Sequence, residues 1–317
     1  MSSIGFYISL PLLYLISILP FPLFYLVSDG VYFILYRVIG YRKKVVYENL
    51  KKSFPEKNHE ELKAIEKKFY KYLCDLFLET LKTLTISKEE AIKRCSFNEN
   101  TKTIFKQLYD EKKSCILVMG HYGNWEWAGN SFSLINPQQL YVIYHPLSNK
   151  HFDKLMYKMR SRFGTKLYAM KDTMREMVRN RHEINATAFI ADQTPSPEGA
   201  YWTTFLNQDT PVFWGTEKIA QKLGYPVVYV TVNRVKRGYY QVNTEYLVTD
   251  PKNTKEGEIS ELHTKKLEKD IIAQPEIWLW SHRRWKYKRN KSYAHKYRGQ
   301  NNRFKYTHQS HKLILCI

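Results

Sequence analysis

The chain has few of the groups that support metal or disulfide chemistry. Only four cysteines occur in 317 residues, Cys74, Cys95, Cys115 and Cys316, and none shares a CxxC or CxxH spacing. A zinc site is therefore not indicated, and scattered single cysteines fit a reducing compartment better than a disulfide framework. HExxH and the G-x-S-x-G nucleophile elbow are absent, which removes the usual zinc-hydrolase and serine-hydrolase signatures. There is no internal repeat and no familiar nucleic-acid motif. Acids are scarce: 30 Asp and Glu stand against 50 Lys and Arg, for a formal charge of +20. Such a surplus selects polyanionic partners, whether nucleic acid, an anionic membrane surface or an acidic carrier protein.

Charge is missing altogether from residues 4–27, IGFYISLPLLYLISILPFPLFYLV. These 24 residues exceed the ~20 needed to cross a bilayer core as a helix, and membrane helices tolerate prolines such as Pro11, Pro20 and Pro22. A signal peptide needs a basic segment ahead of the apolar run, and MSSIG has none. A buried soluble helix is the other alternative, and the run is long for one. Arg37, Arg42, Lys43, Lys44, Lys51 and Lys52 follow closely. By the positive-inside rule they place the rest of the chain in the cytoplasm, against anionic headgroups. The reading is an N-terminal membrane anchor at 1–28, with the rest of the chain facing the cytoplasm.

Residues 29–94 read as basic, amphipathic helices. Leu62, Ile65, Phe69, Leu73, Leu76 and Phe77 recur at helical spacing. From 95 to 289 the pattern becomes an α/β domain. Strand-like runs at 114–119, 140–145, 186–191, 226–236 and 239–248 alternate with helical stretches near 123–134, 149–163, 171–181, 215–223 and 256–273. The expected fold is α/β, a mixed central sheet flanked by helices. The stretch from Tyr287 to the end holds eight Lys or Arg and no acid. It forms a basic C-terminal tail, 290–317, too poor in apolar pattern to build a core.

The strongest local signal is GHYGNWEW at 120–127. A strand ends at Gly120 and a helix begins near Asn124, and open α/β sheets bind ligands where strand carboxyl ends open into loops. His121 and Glu126 stand five residues apart, ~140° on a straight helix. Across a strand–turn–helix junction, however, the imidazole can fold back onto the carboxylate. A base held by an acid activates a hydroxyl; the competing reading is a structural histidine. Asp192 and Gln193 follow another apolar strand, where Asp192 either caps a turn or lines the cleft opposite His121. Arg160 and Arg162 precede a helix end at Phe163-Gly164, as a solvated basic face or as forks for a phosphate or carbonyl oxygen. Arg283 and Arg284 lie among Trp278, Trp280 and Trp285, and burial there requires partners. Those partners are internal carboxylates or the phosphates of a ligand.

Taken in order, these pieces resemble the late acyltransferases of lipid A synthesis, the lauroyl/myristoyl branch of the lysophospholipid-acyltransferase-like superfamily. The carriers are His121-Tyr-Gly-Asn-Trp-Glu126, Met159-Arg-Ser-Arg-Phe-Gly164, Ala191-Asp192-Gln193, Pro211-Val-Phe-Trp-Gly215-Thr216 and Trp280-Ser-His-Arg-Arg-Trp-Lys286, with Asn49-Leu50 and Phe54-Pro55 after the anchor. Each alone is weak; five in the family's order are strong. The glycerophosphate branch has Asn-His-x-Ser-x-x-Asp, which this chain lacks. The loop 194–214 departs from the enterobacterial pattern and leaves acyl length and acceptor position open.

The resemblance implies an acyltransferase with no cofactor, an acyl carrier protein thioester as donor and an anionic glycolipid, a lipid A precursor, as acceptor. It places the enzyme at the bacterial inner membrane, and no nucleic acid is expected. It further implies His121 as general base assisted by Glu126, with Arg162 and Asp192 in the catalytic group and Arg162 or a backbone N–H near Gly120 as oxyanion donor. Gly120, Asn124, Arg160, Gln193, Arg283 and Arg284 are the expected substrate contacts. The rivals are a different lysolipid, aminolipid or mannosylated-lipid acceptor and, from the charge, the 25 tyrosines and the basic tail, a nonenzymatic membrane- or nucleic-acid-binding protein.

Overall fold

A computed structural model describes residues 3–289; the basic tail, 290–317, lies outside them. The apolar amino terminus is two helices, not one. Helix α1 (Ser3–Ile18) stops short of Pro20, and α2 (Phe21–Tyr32) continues as a π-helical turn through Phe33–Ile39. Pro20 is extended and carries no N–H, so the helical hydrogen-bond ladder cannot run through it. The second helix ends at Gly40 in the left-handed region. The end of the expected anchor, residue 28, thus falls inside α2. Helices α3 (Lys43–Ser53), α4 (His59–Lys82) and α5 (Lys88–Arg94) follow. A capping box starts α4: the Asn58 side chain accepts from the Glu61 N–H, and the Asn58 N–H donates to the Glu61 carboxylate.

The α/β part runs β1 (Cys95–Phe97), α6 (Glu99–Asp110), β2 (Cys115–Met119), α7 (Trp125–Ile135), β3 (Gln139–Tyr144), α8 (Lys150–Ser161), β4 (Lys166–Ala169), α9 (Thr173–Arg179), β5 (Asn185–Ile190), β6 (Tyr201–Phe205), β7 (Gln208–Val212), α10 (Gly215–Leu223), β8 (Val227–Lys236), β9 (Tyr239–Val248) and α11 (Glu258–Ala273). Seven strands form one sheet in the order β1-β9-β8-β2-β5-β3-β4, all neighbours parallel except β8 and β9. The mixed sheet flanked by helices is the expected architecture. The central β2 reads CILVM with every residue buried, as a strand covered on both faces requires. α11 packs on β2, β8 and β9, and α7 on β1 and β3. β6 and β7 form a separate hairpin.

A buried polar cluster ties the amino-terminal helices to this body. Asp75 on α4, 1% exposed, accepts from Ser28 on α2 and from Arg234 and Arg237 of the β8–β9 hairpin. Glu79, fully buried, accepts from Tyr25, Tyr240 and the Asn124 amide. Its carboxyl is raised by burial and by the neighbouring Asp75 charge, against those hydrogen bonds. Breaking a buried charge cluster from one side leaves its partners uncompensated. Asp75→Ala is therefore expected to cost about 3–5 kcal/mol, seen as a large drop in melting temperature in detergent; an unchanged melt would show the cluster to be incidental.

Candidate active site

Strands β2 and β5 are parallel neighbours whose last residues, Met119 and Ile190, stand in register. The Ala191 N–H continues the ladder to the Met119 carbonyl at 3.0 Å. The two loops leaving these strands therefore emerge side by side and bring His121 against Asp192. One Asp192 oxygen accepts from the imidazole Nδ1 at 2.6 Å. The other accepts from the His121 backbone N–H at 2.8 Å and the Trp278 indole N–H at 2.7 Å. Facing a carboxylate, Nδ1 carries the proton. Burial by itself would raise the Asp192 carboxyl. The positive charge that His121 can carry and the three donors outweigh it and hold Asp192 well below the usual range.

Two glycines allow this approach. A Cβ on Gly120 would stand 2.7 Å from the Leu267 side chain and 3.1 Å from Asp192 Oδ2, and one on Gly123 (φ +64°) would stand 1.8 Å from the Val232 carbonyl oxygen. Trp125 lies edge to face against the imidazole, ring centres 4.9 Å apart. Glu126, at the start of α7, turns to α8 and takes the Arg160 guanidinium through Nε at 3.0 Å and Nη2 at 2.5 Å. This corrects the expected His121–Glu126 contact. Trp125 occupies the flank of the imidazole, while the strand register delivers Asp192 to Nδ1 first.

His121 Nε2 is left with one long contact, 3.3 Å to the Gln193 amide. It faces a cavity of about 600 Å³, in the range of small-ligand sites. The lining is mostly apolar and includes Leu13, Phe77, Phe97, Phe105, Leu117 and Phe132, with His121, Glu126, Arg160 and Gln193 among its polar members. Among the described residues no group of three His, Cys, Asp or Glu side chains could hold a metal.

A hydrogen-bonded Asp–His pair at the end of an apolar cavity suits transfer of an apolar group to a hydroxyl. Residues 1–287 match the family described as bacterial lipid A biosynthesis acyltransferase. The chain belongs to that family. It is similar to the lipid A biosynthesis lauroyltransferase of Escherichia coli (strain K12), 23% identical over 283 residues, 88% of this chain and 90% of that protein. It is also similar to the lipid A biosynthesis palmitoleoyltransferase of the same organism, 22% identical over 248 residues, 77% of this chain and 79% of that one. The lipid A biosynthesis acyltransferase of Shigella flexneri shows the same identity and coverage.

Several residues expected to touch substrate have other work in this acyltransferase. Asn124 is fully buried. It caps α7 by accepting from the Trp127 N–H and donates to Glu79. Arg162 Nη1 donates to both the Thr83 and Ile86 carbonyls and so closes the loop after α4; the cavity-lining arginine is Arg160. Arg283 is exposed. Arg284 is 1% exposed, beyond the reach of a ligand phosphate, and the one hydrogen bond its side chain makes among the described residues goes to the Pro211 carbonyl, not to a carboxylate. Burial pushes it down to about 10, against the attraction of Asp192. The closing motif acts as a clasp: Asn49 donates to the Trp280 and His282 carbonyls, and the Leu279 N–H to the His121 carbonyl. Trp278, which orients Asp192, was legible only as one of three clustered tryptophans.

Two histidines beside this site are held neutral. Burial pushes His263 on α11 and His282 in the clasp down to about 4. The unfolded chain binds their protons near 6.5, so it takes up more protons than the folded protein between those values. Stability is then complete above about pH 6.5 and falls toward pH 4. The expected loss is on the order of 2 kcal/mol per histidine by pH 5. Melting temperatures at pH 7 and 5 check it: His263→Gln/His282→Gln protein should lose part of the difference.

Proposed function

We propose that the enzyme moves a fatty acyl chain from an acyl carrier protein thioester to a hydroxyl of a lipid A precursor, with His121 as general base and Asp192 as the group that orients it. The observation that carries this reading is the imidazole held through Nδ1 by Asp192, with Nε2 turned toward a largely apolar cavity. The acyl chain lies in the cavity and the thioester carbonyl sits near Gln193 and Arg160. The acceptor hydroxyl gives its proton to Nε2 as its oxygen attacks the carbonyl carbon. The tetrahedral oxyanion collapses, the C–S bond breaks, and the carrier thiolate takes the proton back from the imidazolium.

The Gln193 amide, 3.3 Å from His121 Nε2, and Arg160 Nη1, which makes no hydrogen bond among the described residues, line the cavity as side-chain donors for the oxyanion. Arg160 stays charged, since Glu126 outweighs the effect of burial. Its pair with Glu126 fixes the fork at the cavity wall. Direct attack is favoured over an acyl-enzyme because the described cysteines, Cys74, Cys95 and Cys115, are buried. Burial pushes the Cys74 and Cys115 thiols up to about 12, away from thiolate chemistry.

The surface charge suits encounter with both an acidic carrier and an anionic acceptor. The basic run from Arg37 to Lys52, drawn to the anionic cytoplasmic leaflet, supports a site on the cytoplasmic face of the inner membrane. The test is purified enzyme in detergent with acyl-carrier thioester and lipid A precursor. Expected are free carrier thiol and an acylated acceptor one acyl mass heavier; thioester consumed without acylated acceptor would point to hydrolysis and overturn the reading.

A further inference from the structure

The stretch Phe21–Ile39 is long and apolar enough to cross a bilayer, yet its surroundings argue against crossing. It lies antiparallel along α4 for its whole length: Tyr25 donates to Glu79, Ser28 to Asp75 and Tyr36 to Glu66. The outward side of α4 exposes Lys67, Lys68 and Lys71. Midway along the stretch, Asp29 pairs with Arg237 of the β8–β9 hairpin, both partly exposed. Helix α1 is bound in the same manner to α8. Phe6 packs on Phe152, and Lys158 donates to Tyr14, with Lys154 and Lys158 exposed beside it. With 16 residues it reaches about 24 Å, short of the ~30 Å core. A bilayer enclosing either helix would also enclose the charged helix beside it, and charged side chains avoid hydrocarbon.

The outward faces are nonetheless apolar. Ile8, Leu12 and Leu15 on α1, and Leu26, Phe33 and Val38 on the second helix, are 56–73% exposed. An apolar face rimmed by lysine and arginine matches the headgroup–acyl boundary of a single leaflet. We propose that α1 and the Phe21–Ile39 helix lie in the plane of one leaflet as part of the catalytic body, and that the described residues do not cross the membrane. Leu13 of α1 lines the acyl cavity, so this docking sets a cavity wall at the level of the lipid.

The test uses the full chain with Cys316→Ser, because the three other cysteines are buried. Ser2→Cys, Pro20→Cys or Glu56→Cys is added singly, before α1, at the turn and after α3. Right-side-out and inside-out membrane vesicles are treated with an impermeant maleimide, and detergent gives the maximal labelling. Expected is labelling of all three from one and the same side. A label from the opposite side at any position, or at Pro20→Cys only in detergent, overturns the proposal. Which side the three share reports separately on the cytoplasmic orientation, so the two ideas fail independently.

Discussion

His121→Ala is expected to lower acyl turnover ~10²–10⁴-fold, the contribution of a positioned general base, with the fold retained. The imidazole Nε2 is the basic atom left facing the cavity, since Nδ1 is committed to Asp192. The backbone N–H of residue 121 and the Trp278 indole still hold Asp192 in the variant, so the loop keeps its course. The loss should fall on turnover more than on the donor KM, because the acyl cavity is untouched. Steady-state kinetics on protein that melts cooperatively checks it; wild-type turnover would remove His121 from the chemistry.

Asp192→Asn is expected to cost up to about 10⁴-fold but no more than His121→Ala, because the carboxylate acts through the imidazole. An amide can present its NH₂ to Nδ1, which favours the tautomer with the proton on Nε2, where the hydroxyl proton has to go. Glu126→Gln should be at least about a hundredfold milder, because Glu126 reaches Arg160 and not the imidazole. Rates for the two variants under one set of conditions decide between the carboxylates. The reverse ranking would restore the partnership expected from the His-x4-Glu spacing.

That spacing shows where sequence reading ran out. The strand–turn–helix at 114–134 was legible because CILVM is apolar throughout and glycines flank His121 and Tyr122. Asp192 was visible as an acid at a strand end, but sequence spacing is blind to strand order. Only the adjacency of β2 and β5, with Met119 opposite Ile190, makes it the partner of His121. The burial of Arg284 could be read from the tryptophans around it, whereas its carbonyl partner comes from β7, a strand hidden by its Pro211. β1 and β4 escaped because three and four residues are too short to show alternation. The apolar amino terminus was plain, but hydropathy does not register the Leu19–Pro20 break or the charged helices beside each half.

Asp192 and His121 acting as one unit is the central claim, and the turnover of the His121→Ala/Asp192→Asn double variant tests it most directly. Residues that work only through one another are strongly non-additive. The double variant is expected to be no slower than His121→Ala alone, within about threefold. A rate reduced by the product of the two single losses would contradict the claim and leave Asp192 with a role independent of the imidazole.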